Sequence, residues 1–200
     1  MTTEREGDQL LVRRAQDGER AAFDLLVAKY QRRLMRLVSR LIHDQAEAED
    51  VVQETFIKAY RALRHFRGDA AFYTWLYRIG INTAKNMLVT QGRRNSATGG
   101  PHVDKAEAME EAERLRDIET PEAMFASKQI AITVHLAMDA LPLELRTAIV
   151  LRELEGLTYE EISEVMACPI GTVRSRIFRA REAIAEKLRP LVESTVDKRK

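Results

Sequence analysis

Apolar residues recur at intervals of three and four along most of this chain, the spacing of one face of an α-helix. A first helix is expected from about Asp8 to Ala15, with Leu10, Leu11 and Val12 apolar and Asp17-Gly18 closing it. A second is expected from about Arg20 to Ile42, where Phe23, Leu26, Val27, Tyr30, Leu34, Leu37, Val38 and Leu41 form the stripe. The third, from about Ala46 to Leu63, carries Val51, Val52, Phe56, Ile57, Tyr60 and Leu63. After the loop His65-Phe66-Arg67-Gly68-Asp69, a fourth runs from about Ala70 to Thr90, with Phe72, Leu76, Ile79 and Thr83 on one face. Gly80 within it costs about 1 kcal/mol against alanine, which close helix packing would explain.

The periodicity then breaks. Gln91 to Pro101 is polar, small and rich in breakers, the composition of a linker, and the acidic stretch behind it has few apolar residues. A helix start signal appears at Thr120-Pro121-Glu122: a capping side chain, proline at the first helical position and an acid at the positive helix end. The pattern is helical from there to about Arg189, broken at Leu141-Pro142 and again at Glu155-Gly156-Leu157. The expected architecture is therefore all-α: a helical bundle over residues 1–92, a flexible acidic linker over 93–120 and a second small helical domain over 121–200. Trp75 and Phe72 are expected to belong to the first core.

Charge divides the chain the same way. Residues 57–94 hold eight Lys or Arg and one acid, Asp69; residues 104–122 hold eight acids against three basic residues; residues 170–200 return to nine basic against four acidic. Two polyanion-binding modules on a polyanion-avoiding tether would show this alternation, which the formal net charge of +1 conceals. Cys168 is the single cysteine, which excludes a disulfide within the chain and fits a reducing cytoplasm. The first residues lack a basic start followed by an apolar run, and no stretch reaches the roughly 18 apolar residues of a membrane helix.

The segment Leu157 to Met166 opens with a capping box, in which Thr158 accepts from the backbone three residues on and Glu161 reaches back. Ile162, Val165 and Met166 give it a buried face, and Ala167-Cys168-Pro169 stops it. Ile170-Gly171 leads into a second helix with Val173, Ile177 and Ile184 inward, so the segment is a helix-turn-helix. That second helix offers Arg174, Ser175, Arg176, Arg179 and Arg181. Arginines in a major groove can pair with guanine edges or hold phosphates. Phe178 either meets a thymine methyl or completes the core.

On the fourth helix, Arg78, Asn82, Lys85 and Asn86 form a second, polar face that mixes charge with amides able to read base edges. Phe66, Tyr73, Trp75 and Tyr77 lie around the Arg67-Gly68-Asp69 loop; aromatic rings beside basic groups suit single-stranded nucleic acid. The acids Glu47, Glu49, Asp50 and Glu54 lack any Glu-x-x-His pair, and His43, His65, His102 and His135 are scattered, so a metal site is not expected. Gly-rich phosphate loops, nucleophile elbows and Cys/His clusters are missing from the sequence. Neither catalysis nor a cofactor nor a small-molecule substrate is expected.

The segments Asp50-Val51-Val52-Gln53-Glu54-Thr55-Phe56-Ile57-Lys58-Ala59-Tyr60, Phe66-Arg67-Gly68-Asp69, Phe72 to Ile79 and Asn82 to Asn86 resemble region 2 of the extracytoplasmic-function (group 4) sigma factors, in the sigma E (AlgU-like) branch of the sigma-70 family. Leu151-Arg152-Glu153, Leu157 to Ile162 and Gly171-Thr172-Val173-Arg174-Ser175-Arg176-Ile177-Phe178-Arg179-Ala180-Arg181 resemble its region 4. The resemblance covers nearly all of the chain outside the acidic linker. It implies a transcription initiation factor whose partners are core RNA polymerase (the clamp helices of the largest subunit and the beta flap), promoter DNA and a membrane-anchored anti-sigma factor. By the same likeness Asp50, Gln53, Glu54 and Lys58 would dock on polymerase. Phe66, Arg67, Gly68, Asp69 and Ala71 would capture a base flipped from the −10 element, beside Arg78, Asn82 and Lys85 of the melting helix. Thr172, Arg174, Ser175, Arg176, Phe178 and Arg179 would read the −35 element. A cytoplasmic factor held at times near the inner membrane, serving an envelope-stress regulon, is the expectation that follows. The rival reading, a helix-turn-helix regulator acting on duplex operators without polymerase, leaves the first 94 residues without a role.

Overall fold

Polar turns and glycines cut the chain into helices at the places where periodicity lapses. The computed structural model describes the backbone of residues 2–95 and 121–197, and side chains over 5–91 and 128–191. Among the described residues the helices are α1 (Thr2–Gln16), α2 (Arg20–Ser39), α3 (Gln45–Ala62), α4 (Phe72–Asn95), α5 (Pro121–Asp139), α6 (Leu143–Glu153), α7 (Tyr159–Met166) and α8 (Ile170–Asp197), with one 3₁₀ turn at Leu63–His65. Packing groups them into two units. One takes in the described residues of 1–100 and 150–173, the other those of 101–149 and 174–200. Most of the linker expected over 93–120 lies outside the described residues; its first three residues continue α4.

In the first unit α2 supplies the central stripe: Phe23, Leu26, Tyr30, Leu34, Leu37 and Val38 are buried. Their spacing gives one continuous apolar face, and each such side chain contributes about 1.5–3 kcal/mol when fully removed from water. The stripe meets Val51, Val52, Phe56 and Ala59 of α3 and Leu76, Tyr77, Ile81 and Ala84 of α4, all buried. Asp44 caps α3 by accepting from the Glu47 N–H at 2.9 Å. Helix α1 begins six residues earlier than the apolar pattern foretold, because its opening turns are polar. It is held by a buried carboxylate: Asp8 accepts from Lys29 Nζ at 2.6 Å and from the Tyr30 hydroxyl. A carboxylate can be buried at this depth only with such partners. Gly18, at φ +99°, turns the chain from α1 into α2.

The capping box on α7 is present in full. Thr158 Oγ1 accepts from the Glu161 N–H at 3.2 Å, and the Thr158 N–H donates to Glu161 Oε2 at 2.8 Å. The helix ends at Ala167, in the left-handed region at φ 50°. The turn is closed by Cys168 N donating to Ser163 O at 3.1 Å, and by Ser163 Oγ donating to Cys168 O at 2.6 Å. The Pro169 carbonyl then accepts from the N–H groups of Thr172 and Val173, launching α8. The expected end near Arg189 is exceeded: α8 runs through Pro190 to Asp197. Proline removes one donor and costs a ladder bond, yet Pro190 is exposed and the helix continues past it.

In the second unit, the Leu141-Pro142 break is stitched by Arg146. Its guanidinium donates to the carbonyls of Asp139 and Leu141 and faces the Asp139 carboxylate at 3.9 Å. Burial lowers the pKa of Arg146, with Asp139 opposing that shift.

Candidate functional site

Three surfaces carry the residues singled out in the sequence. The first lies on α3. Asp50, Gln53 and Glu54 are exposed, while Lys58 is half-buried and bridges Glu54 Oε1 at 2.8 Å and Thr83 Oγ1 at 3.1 Å. Lys58 is thereby committed within the fold, whereas the three other groups are presented outward. Beside them α2 and α3 leave a groove of about 660 Å³, floored by Phe23, Val27, Val52, Phe56, Ile57 and Tyr60, with Gln53 on its rim. Ile57 and Tyr60 are two of the apolar positions that give α3 its helical pattern. They are 44% and 49% exposed, and Tyr60 meets Phe23 edge-on at a ring separation of 4.9 Å. The helix has two apolar faces, and Val51, Val52, Phe56 and Ala59 fill the inner one.

The second surface runs from the loop before α4 along that helix. Phe66 ends the 3₁₀ turn, its N–H donating to Leu63 O at 3.0 Å. Its ring packs on Trp75 at 4.9 Å and on Phe72 at 6.0 Å, and Phe72 in turn reaches Tyr30 at 5.6 Å. Phe72 is core as expected; Trp75 is only half-buried, because its indole sits where the aromatic cluster meets the surface. Beyond Phe66 the chain presents Arg67 and Asp69 outward, with Gly68 at φ +79° between them. An L side chain at that angle would be strained. Asp69, Ala70, Thr74, Trp75 and Arg78, with Glu164, line a hollow of about 200 Å³. Ala71 is half-buried, and its carbonyl accepts from Trp75 N at 3.2 Å. Arg78 and Asn82 are exposed and Lys85 half-buried, so the spacing of four and three continues one strip away from the loop.

Two tyrosines of α4 lie at the edge of this surface. Tyr77 donates to Glu155 Oε2 at 2.6 Å and Tyr73 donates to Glu161. Burial, reinforced by Glu161, pushes the Tyr73 hydroxyl up to about 12. Tyr77 is raised as well, again by burial first and then by Glu155. Both contacts were missed in the sequence, since the partners are 88 and 78 residues away.

The third surface is on α8. Arg174, Ser175, Phe178 and Arg179 are exposed on one side, opposite the buried Val173, Ile177 and Ala180. The Phe178 ring is 61% exposed, which settles its alternative: it does not complete the core. Thr172 is half-buried. Arg176 is not brought together with the others; its Nη2 lies 3.0 Å from Glu144 Oε2 and its side chain is mostly covered. Among the described residues no three His, Cys, Asp or Glu side chains are placed to hold a metal ion, and no helix is long and apolar enough to cross a membrane.

The family described as Sigma-70 region 2 matches residues 26–94, and that described as Sigma-70, region 4 matches residues 132–184. The RNA polymerase sigma-H factor of Pseudomonas aeruginosa is 58% identical over 187 residues, covering 94% of this chain and 96% of that protein. The ECF RNA polymerase sigma-E factor of Escherichia coli K12 is 54% identical over 185 residues, covering 92% and 96%. Among solved structures, CnrH in complex with the cytosolic domain of CnrY aligns with a TM-score of 0.65 at 26% identity, covering 92% of this chain and 98% of that one.

Proposed function

Because this chain belongs to the sigma-70 family, as a sigma factor of the extracytoplasmic-function type, we propose a division of its promoter work among the three surfaces just described. Sigma factors are initiation factors without chemistry of their own, and here the division assigns each surface one macromolecular contact. Asp50, Gln53 and Glu54, with the apolar groove beside them, dock on the clamp helices of the largest polymerase subunit. The loop Phe66–Ala71 receives an unstacked base of the −10 element, and Arg78, Asn82 and Lys85 follow the strand away from it. Arg174, Ser175, Phe178 and Arg179 enter the major groove of the −35 element, with Thr172 near the helix start, while the second domain seats on the beta flap.

The observation that carries this reading is the continuity of the second surface. An aromatic cluster, a loop turned by Gly68 and a basic and amide strip lie in sequence along one helix. Stacking on an aromatic ring is worth about 1–3 kcal/mol per base, and a captured base is held outside the duplex. Opening DNA loses about 1.4 kcal/mol per base-pair step, so capture of one base offsets only part of a bubble. Polymerase contacts supply the remainder, and the isolated protein melts promoters poorly. Lys58 supports the docking surface from within through Glu54 and Thr83.

We assign control to an anti-sigma factor, a reading supported by the likeness to CnrH, whose structure holds the cytosolic domain of CnrY. A membrane-anchored antagonist, a cytoplasmic pool of the factor and an envelope-stress regulon complete the proposal. The test is run-off transcription with purified core polymerase, this protein and a panel of stress promoters. Specific transcripts that require the added protein support the division of labour. Absence of both transcripts and polymerase binding would refute it.

A further inference from the structure

The last residue of α1 reaches across the fold to the loop assigned to base capture. The Gln16 carboxamide nitrogen donates to Leu63 O at 2.9 Å and to Phe66 O at 2.8 Å. A primary amide has two N–H donors, and both are spent here. The two acceptors bracket the 3₁₀ turn Leu63–His65, whose cap is the backbone bond from Phe66 N to Leu63 O. A lone 3₁₀ turn has poor intrinsic hydrogen-bond geometry, so its outline depends on what grips it.

The Phe66 carbonyl belongs to the peptide plane that joins Phe66 to Arg67. Fixing that oxygen fixes the direction in which the chain leaves toward Arg67, Gly68 and Asp69. The Phe66 ring is pinned from the other side by Trp75 and Phe72. Gln16 and the aromatic cluster together therefore hold the entry to a loop whose next bend rests on a glycine at φ +79°. At the far side of the loop, Arg5 of the same helix lies 3.5 Å from the Asp69 carbonyl, so α1 approaches both of its ends. Loops that carry function are positioned by rigid elements, and a site loses selectivity when its support lets it wander by even about 0.5 Å.

We propose that Gln16 is a positioning residue for −10 readout: it sets the Phe66–Arg67 peptide plane, and with it the mouth that accepts the unstacked base. The inference deepens the base-capture reading above and rests on it. Gln16 itself is half-buried and bonded to protein carbonyls, so its effect is on discrimination between bases and not on total DNA affinity.

The experiment uses full-length protein with core polymerase and a promoter library randomised across the −10 segment, with transcripts counted for each sequence. Two variants remove the donors. Gln16→Glu is near-isosteric and turns acceptors toward two carbonyls; Gln16→Met keeps length and packing without polarity. Both are expected to flatten the base preference at one −10 position by about tenfold, about 1.4 kcal/mol. Preferences in the −35 segment and polymerase affinity should stay within about twofold of the parent. Preferences unchanged in both variants would overturn the inference. So would an even loss across all positions that tracks a fall in melting temperature, since that is what a purely structural residue gives. Arg67→Ala and Asp69→Ala, at exposed loop positions, separate the two levels. If they leave every −10 preference intact, the base-capture reading falls and the inference with it. If they alter it while both Gln16 variants do not, only the positioning role falls.

Discussion

Gly80 on α4 stands against Leu34 on α2 so closely that a Cβ added there would lie 2.8 Å from Leu34 Cδ1, with Thr55 Cγ2 of α3 at 3.6 Å. Leu34 is fully buried, so its methyl has little room to yield. An alanine at position 80 gains about 1 kcal/mol of helix propensity and loses a similar amount to overpacking. Leu34→Val removes the offending methyl. Gly80→Ala is therefore expected to be more stabilising in the Leu34→Val background than in the parent by about 1 kcal/mol, a coupling typical of touching residues. Denaturant melts of the four proteins measure it. Equal effects of Gly80→Ala in both backgrounds would show that the close approach exerts no strain.

Asp50 and Glu54 are exposed, and Glu54 makes a surface pair with Lys58 within its own helix. Such a pair is worth about 0.2–0.5 kcal/mol. Reversing either charge, Asp50→Lys or Glu54→Lys, is thus expected to leave the fold within about 0.5 kcal/mol of the parent. Affinity for core polymerase should drop by about tenfold or more, with the on-rate losing much of its salt dependence. A binding assay at two ionic strengths, beside a thermal melt, checks both halves. Unchanged affinity would remove α3 from the docking surface.

What could be read in the sequence follows from the range of each interaction. The stripe on α2, the capping box of Thr158 and Glu161, and the stop at Ala167-Cys168-Pro169 are local, set by residues within four positions, and the structure has them as expected. Close packing at Gly80 was legible because a helix rarely accepts glycine without a neighbour that needs the space. The α3 pattern left the placing of Ile57 and Tyr60 open, since periodicity marks apolar positions without saying which of two faces turns inward. Gln16 gave no signal at all: its partners are 47 and 50 residues away and are backbone carbonyls, which any residue type supplies. Arg176 looked like its neighbours because nothing local reveals the acid on α6 that covers it.

Tyr73 is expected to set an alkaline limit on stability. Its hydroxyl is raised from 10.0 to about 12, mainly by burial and then by its bond to Glu161. With the folded value above the unfolded one, the contribution is intact below pH 10 and is lost as pH rises toward 12. Tyr77 is displaced in the same direction. Tyr73→Phe is expected to lower stability modestly at neutral pH, through the lost bond to Glu161, and to make the alkaline decline shallower. Chemical denaturation from neutrality to pH 12, with tyrosinate absorbance followed in parallel, tests the pair of effects. A decline identical in parent and variant would assign the alkaline limit to other groups.

The arginines of α8 separate into two kinds, and alanine substitution should distinguish them. Arg174 and Arg179 are exposed beside Ser175 and Phe178, so their loss should leave stability nearly unchanged. A bidentate guanine contact discriminates by about 1–3 kcal/mol, and removing one should weaken the cognate −35 duplex by about tenfold while sparing random duplex. A phosphate contact would instead lower both equally and reduce the salt slope by about one. Arg176 is mostly covered and paired with Glu144 at 3.0 Å, so Arg176→Ala should act first on stability and only secondarily on DNA. Its cost should shrink in a Glu144→Gln background, because the acid no longer loses a partner. If Arg176→Ala instead abolished −35 selectivity with an unaltered melt, the ion pair would have to open on DNA, and Arg176 would rejoin the readers on α8.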